Sequence, residues 1–393
     1  MQLVANQLKT LALGVTLSAS AFSGAWAQDA DAALERFRAL MSEQGIEMAW
    51  ANADISGDDA TITGVTVNAE GGPQPIGDIT FTDISQVDDG YRVERISMPS
   101  YEATESGGTV TLTDVVMDAV FLPDEGVEVA GAEVFFYEYA SLGAARFEME
   151  GREVFSLTNL NARITPPEGD GELAFTGGAE RFTADLTAAD NPEQQAVIER
   201  LGYEQISGQM DFAGSWAAGD GRLKLSQYDF IIEDAGTLGI TVDISGYTPA
   251  FIKALRETTE RMAANPEGDQ SAQGLALLGL MQQINIHGME IRFDDASLTN
   301  RVIDYAAEDQ GATRADVVNQ TKAVFPLILA QLNAPQLMQM ATGAVSAFLD
   351  DPQSLTIRAA PATPVPFAMV LAAGAASPDL LVQQLGLTVT AND

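Results

Sequence analysis

Ile79-Thr-Phe-Thr-Asp83-Ile84 and Val110-Thr-Leu-Thr-Asp114-Val115-Val-Met117 are two copies of one pattern that fills residues 61–164. Apolar residues alternate, a Gly, Asp or Asn follows, and the alternation restarts one residue out of phase. Further copies are Ile62, Gly64, Val65, Val67; Val127, Val129, Gly131, Ala132, Val134; and Phe155, Leu157, Asn159, Leu160, Ala162. The pattern returns at Ile284, Ile286, Gly288, Met289, Ile291, and more loosely at Leu223, Leu225, Gln227, Tyr228, Phe230. Strand side chains alternate between faces, so the apolar set keeps one face only if an extra residue enters as a bulge. Gly, Asn and Asp are the residues that best tolerate the left-handed backbone such a bulge can need. One reading is a strand, a kink and a continuing strand with the same buried face. The other is a strand that ends in a turn at the Gly, Asp or Asn. Under the bulge reading Gly64, Asp83, Asp114, Gly131, Asn159 and Gly288 each place two residues opposite one on the neighbouring strand. A series of bulges raises twist and bends an antiparallel sheet.

Gly71-Gly72-Pro73, Asp88-Asp89-Gly90, Ser106-Gly107-Gly108 and Pro123-Asp124-Glu125-Gly126 punctuate this array, so neighbouring strands should pair as antiparallel hairpins. Before it, residues 29–44 read as a helix, with Leu34, Phe37, Leu40 and Met41 on one stripe and Gly45 at its end. Pro166-Pro167-Glu168-Gly169-Asp170-Gly171 marks a boundary. A second meander follows, with a short helix at 191–201 capped by Asn191 and opened by Pro192. Helices dominate after residue 247. They include an all-round apolar one at 272–283, and one opened by Thr313 and Asp316 as a capping box and kinked at Pro326. Residues 355–360 and 387–390 read as closing strands.

Residues 1–27 read as a secretory signal peptide. Lys9 precedes a small, apolar run, and Ala25-Trp26-Ala27 is an A-x-A cleavage site, so the mature chain is expected to begin at Gln28 outside the cytoplasm. There is no Cys, hence no lipid anchor through an N-terminal Cys and no disulfide. No later segment is long enough to span a membrane as a helix. Acids number 56 against 20 bases, a net charge of −36, with lysine only at positions 9, 224, 253 and 322. Such a surface repels nucleic acid and anionic headgroups.

Little chemistry is offered. His287 is the single histidine, which excludes metal sites built on several His. The chain contains no nucleophile elbow, phosphate loop, zinc-protease helix or dinucleotide fingerprint. The acidic groups Asp54, Asp58 and Asp59, the pair Asp294-Asp295 and the pair Asp350-Asp351 lack calcium-loop spacing. Asp294 and Asp295 sit where a helix N-terminus favours negative charge. The reading is therefore a non-enzymatic protein: no catalytic residue, no cofactor-binding residue, no metal ligand and no cofactor.

The strand style resembles that of AsmA-like envelope proteins and related uncharacterised periplasmic proteins of Gram-negative bacteria. The run Leu223-Lys-Leu-Ser-Gln-Tyr-Asp-Phe, with Leu238-Gly-Ile-Thr-Val after Gly236, carries the resemblance most closely. Phe293-Asp-Asp-Ala-Ser-Leu298-Thr-Asn-Arg-Val, with its downstream Ala-Ala-Glu-Asp-Gln-Gly311, is similar to a segment of such proteins. The resemblance covers about half the chain, lacks the AsmA membrane anchor and transfers no functional residue. It implies a periplasmic, envelope-associated protein.

The expected fold is α+β, an extended, bent antiparallel sheet of bulged meander strands in two units. Helices pack on one face, and the C-terminal third is helical. The segments are 1–27, the signal peptide; 28–165, a helix and the β-repeat; 166–296, a second meander with helices; and 297–393, mainly helical with closing strands. Two functions stay open. One is a binding or carrier protein for an apolar ligand such as lipid, held in a groove of the sheet. The other is a structural or assembly protein of the envelope, with a protein partner and with its own helices filling that face. Nucleic acid is not an expected partner.

Overall fold

A computed structural model describes residues 25–69, 72–105, 107–127, 135–167, 171–188, 191–264, 270–331, 334–376 and 378–393. Most of the signal-peptide stretch and the repeat copy around Gly131 lie outside the described residues. The described residues form an α+β protein of antiparallel strands, with its helices concentrated towards the C-terminus. It divides into two compact units, Met1–Thr165 and Pro166–Asp393.

Unit 1 opens with α1 (Ala25–Glu43), which begins four residues before the helix expected from the sequence. Gly45, at φ 80°, lets the chain leave the helix. Strands follow in meander order: β1 (Met48–Ala49), β2 (Asn52–Ser56), β3 (Asp59–Ala69), β4 (Gly72–Val87), β5 (Gly90–Glu105), β6 (Gly108–Pro123), β7 (Tyr139–Met149) and β8 (Arg152–Thr165). β1 and β2 both pair with β3, and β3 to β8 pair in sequence, all antiparallel.

The alternation does restart out of phase while the same face stays buried. On β3, Ala60 and Ile62 are buried, and after Gly64 so are Val65 and Val67; on β4, Ile79 and Phe81, then Ile84. Gly64, Asp83, Asp114 and Asn159 have φ of 63°, 51°, 54° and 50°, the left-handed backbone that these residue types tolerate.

At Gly64 the break has the expected form. Ile62 pairs with Ile79 and Val65 with Gly77, so Thr63 and Gly64 face Asp78 alone, and the Gly64 N–H donates to Asp78 Oδ1 at 3.0 Å. At Asp83, Asp114 and Asn159 it does not. Thr82 pairs with Arg95 and Ile84 with Val93, leaving Asp83 opposite Glu94 with no residue gained. Val93 pairs with Val120 and Arg95 with Asp118, so Glu94 faces Ala119, itself at φ 52°. Every strand in this row changes phase together, and register is kept. A second row runs through Pro99, Asp114, Gly143 and Asn159 by the same count. A Cβ on Gly143 would come within 2.9 Å of the Asp114 Cβ, which explains the glycine between two left-handed neighbours. The two-against-one expectation is thus corrected at these three sites. A neighbour that inserts its own extra residue cancels the slip.

Among the described residues, the core of unit 1 is a cluster of seventeen buried residues. Ala30, Ala33, Leu34, Phe37 and Leu40 of α1 lie on Ile62, Phe81, Val93, Val120 and Leu122 of the sheet. Phe37 meets Phe81 edge-on at 5.2 Å between ring centroids. Arg36 ties the helix to the end of β6 by donating to the Pro123 carbonyl at 2.5 Å.

Unit 2 has β9 (Leu173–Asp185), α2 (Pro192–Leu201), β10 (Gln205–Ala217), β11 (Arg222–Ile232) and β12 (Gly236–Ser245). Helices α3 (Pro249–Ala264) and α4 (Gln270–Met281) lead to β13 (Asn285–Asp295). Then come α5 (Leu298–Gln310), α6 (Arg314–Ala330), α7 (Pro335–Asp350), β14 (Ser354–Ala359), β15 (Val365–Pro366), α8 (Phe367–Ala376), α9 (Pro378–Gln384) and β16 (Leu387–Ala391). The sheet order is β9-β10-β11-β12-β13-β14-β16, with β15 on the other half of the β13 edge. Asn191 caps α2 by accepting from the Glu193 N–H at 2.9 Å, and Thr313 with Asp316 forms the capping box of α6.

Bulges in unit 2 are one-sided. β13 inserts a residue at His287 between the pairs Asp243–Gly288 and Ile244–Ile286. β11 inserts one near Ser226, between Ala213–Gln227 and Gly214–Leu225. β9 inserts one between Phe182 and Ala179. Gly288 and Gln227 thus mark two-against-one bulges, although neither has a left-handed φ.

Candidate functional site: the apolar face of unit 2

Because each bulge restores the phase, one face of the unit 2 sheet is apolar from strand to strand. Paired residues share a face. One row is Ile240, Ile291, Ile357 and Val389; the next is Leu225, Val242, Met289, Ala359 and Leu387. Phenylalanine rings pave the β9–β10 side by lying across glycines. A Cβ on Gly208 would come within 2.6 Å of the Phe182 ring, and one on Gly214 within 2.4 Å of the Phe175 ring. Phe182 also stacks on Phe230 at 4.8 Å with ring planes 9° apart.

The helices cover the margins of this face. Phe348 of α7 meets Phe293 edge-on at 6.4 Å. Phe367 and Val370 of α8, with Leu381 and Leu385 around α9, pack on Ile286, Ala359 and Leu387. Between these margins Leu238, Met289, Ile291 and Ile357 stay 37%, 38%, 40% and 44% exposed. The described part of α4 does not fill the gap, since its Leu275 is 69% exposed. Among the described residues, the hydrophobic clusters of unit 2 hold three buried residues each, Ile286, Val365 and Leu385 in one and Ile303, Ala307 and Val317 in the other.

The opposite face is a grid of charged pairs. Lys224 meets Glu172 at 3.1 Å, Arg292 meets Asp294 at 2.8 Å and Arg358 meets Glu290 at 3.6 Å. Arg222 clasps Asp243 through two nitrogens at 2.5 and 2.7 Å. His287 belongs to this face, with Nε2 2.9 Å from Ser245 Oγ and 3.4 Å from the Arg222 guanidinium. Burial, and then the Arg222 charge, hold the imidazole below its ordinary pKa. A serine beside a histidine is where nucleophilic catalysis starts, but a cation at the same ring nitrogen opposes the proton transfer that would activate it. The arrangement fits a neutral His287 accepting from Ser245.

Several of the acidic groups singled out in the sequence serve the fold. Asp59 Oδ1 accepts from the N–H of left-handed Asp83 at 2.9 Å. Asp295 accepts from the Thr299 N–H at 2.8 Å in the first turn of α5, while Asp294 pairs with Arg292. Asp350 pairs with Lys322, and Asp351 accepts from Gln353 at 2.7 Å. Asp54 is exposed on β2. Among the described residues no three acids or histidines come together as a metal cage.

A family model described as "Uncharacterized protein" matches residues 229–392, from the end of β11 through β16. That match spans the open part of the apolar face and the helices around it. No curated protein matches the chain.

Proposed function

We propose that the protein is an exported, periplasmic, non-enzymatic binder of an apolar ligand, with an acyl chain lying on the open face of unit 2. The observation that carries this reading is the strip Leu238, Met289, Ile291 and Ile357, large side chains left part-exposed between two covered margins. Covering what is still exposed is worth about 1 kcal/mol for each side chain. Contiguous apolar surface of this kind marks sites that bind something. Bulges on β9, β11 and β13 keep the paved side apolar, and α7, α8 and α9 stand at its margins. A net charge of −36 disfavours attraction to an anionic headgroup, so the ligand is held by its tail. The strand style shared with AsmA-like proteins and the signal-like N-terminus support an envelope location.

The test is binding of a fluorescent long-chain fatty acid by the parent protein and by the double variant Ile291→Glu, Ile357→Glu. The parent should bind saturably and the variant about tenfold more weakly or worse. Equal binding by both, with both folded, refutes the reading. Export is tested separately by the intact mass of protein from a periplasmic extract, which should begin at Gln28. A mass retaining residues 1–27 refutes the cleavage.

A further inference from the structure

Charged residues make up 19% of this chain, yet residues 270–289, 323–349 and 359–378 contain no Asp, Glu, Lys or Arg. These stretches build α4, the second half of α6, α7 and α8. A charge-free stretch is expected where a helix is buried. Here it is not. Leu327 and Ile328, in the last turn of α6, are 68% and 58% exposed, and Val324 shares their side of the helix at the i, i+3, i+4 spacing. Leu275 and Leu278 repeat the arrangement on α4. The boundary of the neutral region is sharp, because Lys322, one residue before it, pairs with Asp350, one residue after it.

We propose that these neutral helices dock on the surface of a zwitterionic lipid bilayer, with α6 inserting Leu327 and Ile328 among the acyl chains. The inference does not depend on the sheet face holding a ligand. Two observations favour a bilayer. The three stretches consist largely of Leu, Ile, Val, Met, Ala, Gly and Gln, which suit hydrocarbon and need no complementary charge. A second copy of this chain would bring its own −36 to the contact and repel it, whereas a zwitterionic surface does not. No described helix is long and apolar enough to cross a membrane, so the contact is one of lying on the surface.

The experiment is flotation of the full chain with phosphatidylcholine vesicles. The protein should rise with the vesicles equally at low and high salt, and less when phosphatidylglycerol is added, because binding is apolar and the body of the protein is acidic. The double variant Leu327→Glu, Ile328→Glu should lower the bound fraction about tenfold or more while melting normally. Should that variant melt early, Leu275→Glu, Leu278→Glu on the separate helix α4 should show the same loss. A parent that stays unbound, or variants that float as well as it does, would overturn the proposal. So would a parent that light scattering shows to be a dimer and that the α6 variant splits, since the patch would then cover itself.

Discussion

Unit 1 and unit 2 use the same strand pattern and end differently. In unit 1 the breaks beyond Gly64 meet breaks in the next strand, register holds across β4, β5 and β6, and one helix covers the β3–β6 part of the face, where seventeen of the described residues are buried together, while Phe155 of β8 stays part-exposed. In unit 2 the breaks are one-sided on β9, β11 and β13 against β10 and β12, whose alternation runs on. There the helices stop at the margins and leave Ile291 and Ile357 part-exposed. A bulge therefore decides only which face an apolar residue takes. Whether that face becomes core depends on what packs against it. The same alternation serves stability in one unit and supplies open surface in the other.

The largest expected difference follows directly. Phe81→Ala, at a site 1% exposed and in contact with Phe37, should cost about 3–5 kcal/mol of unfolding free energy in denaturant titration. Ile291→Ala in unit 2 should cost about 1 kcal/mol or less. Equal losses would mean that the unit 2 face is covered after all. Next in size are the two kinds of break. Gly143→Ala pushes a methyl to within 2.9 Å of Asp114 and should cost about 1–3 kcal/mol. Gly288→Ala meets nothing nearer than 3.6 Å and should cost roughly 1 kcal/mol or less. A reversed order would contradict the matched-row geometry. Smaller again, Ala119→Gly should raise stability by about 0.5–1 kcal/mol, because alanine at φ 52° holds a left-handed backbone that glycine adopts freely. A loss of stability would show that the row tolerates alanine without strain.

The smallest effect concerns His287. Its folded pKa lies below the ordinary 6.5, so the unfolded chain takes up the proton first as pH falls. Its stabilising contribution is full above the unfolded pKa and is lost as pH drops towards the folded value. His287→Gln should remove this part of the pH dependence and leave ligand binding unchanged. A variant that folds normally but loses binding would give the histidine a role that its place on the polar face does not provide.

Much of this was legible because Gly64, Asp83, Asp114 and Asn159 are residue types that mark a left-handed backbone. Their partners in the rows were not. Ala119 carries no preference for positive φ, and Glu94 and Pro99 change phase without one. Only the pairing shows Glu94 between Asp83 and Ala119, and Pro99 opposite Asp114. The apolar strip was half visible. Met289 and Ile291 stand in a copy of the pattern, but Ile357 sits in a short strand with no break. Whether α4 and α7 would fill the face could not be read from periodicity, since an all-apolar helix such as 272–283 looks buried. Its exposed Leu275 instead follows from tertiary packing.

The central proposal is that the unit 2 face holds an apolar guest. Native mass spectrometry of protein purified gently from cells tests this most directly. A carried lipid should appear as a discrete added mass that organic extraction removes, and that Ile291→Glu, Ile357→Glu protein lacks. Parent protein that is clean and unliganded, and that takes up no added fatty acid, would contradict it.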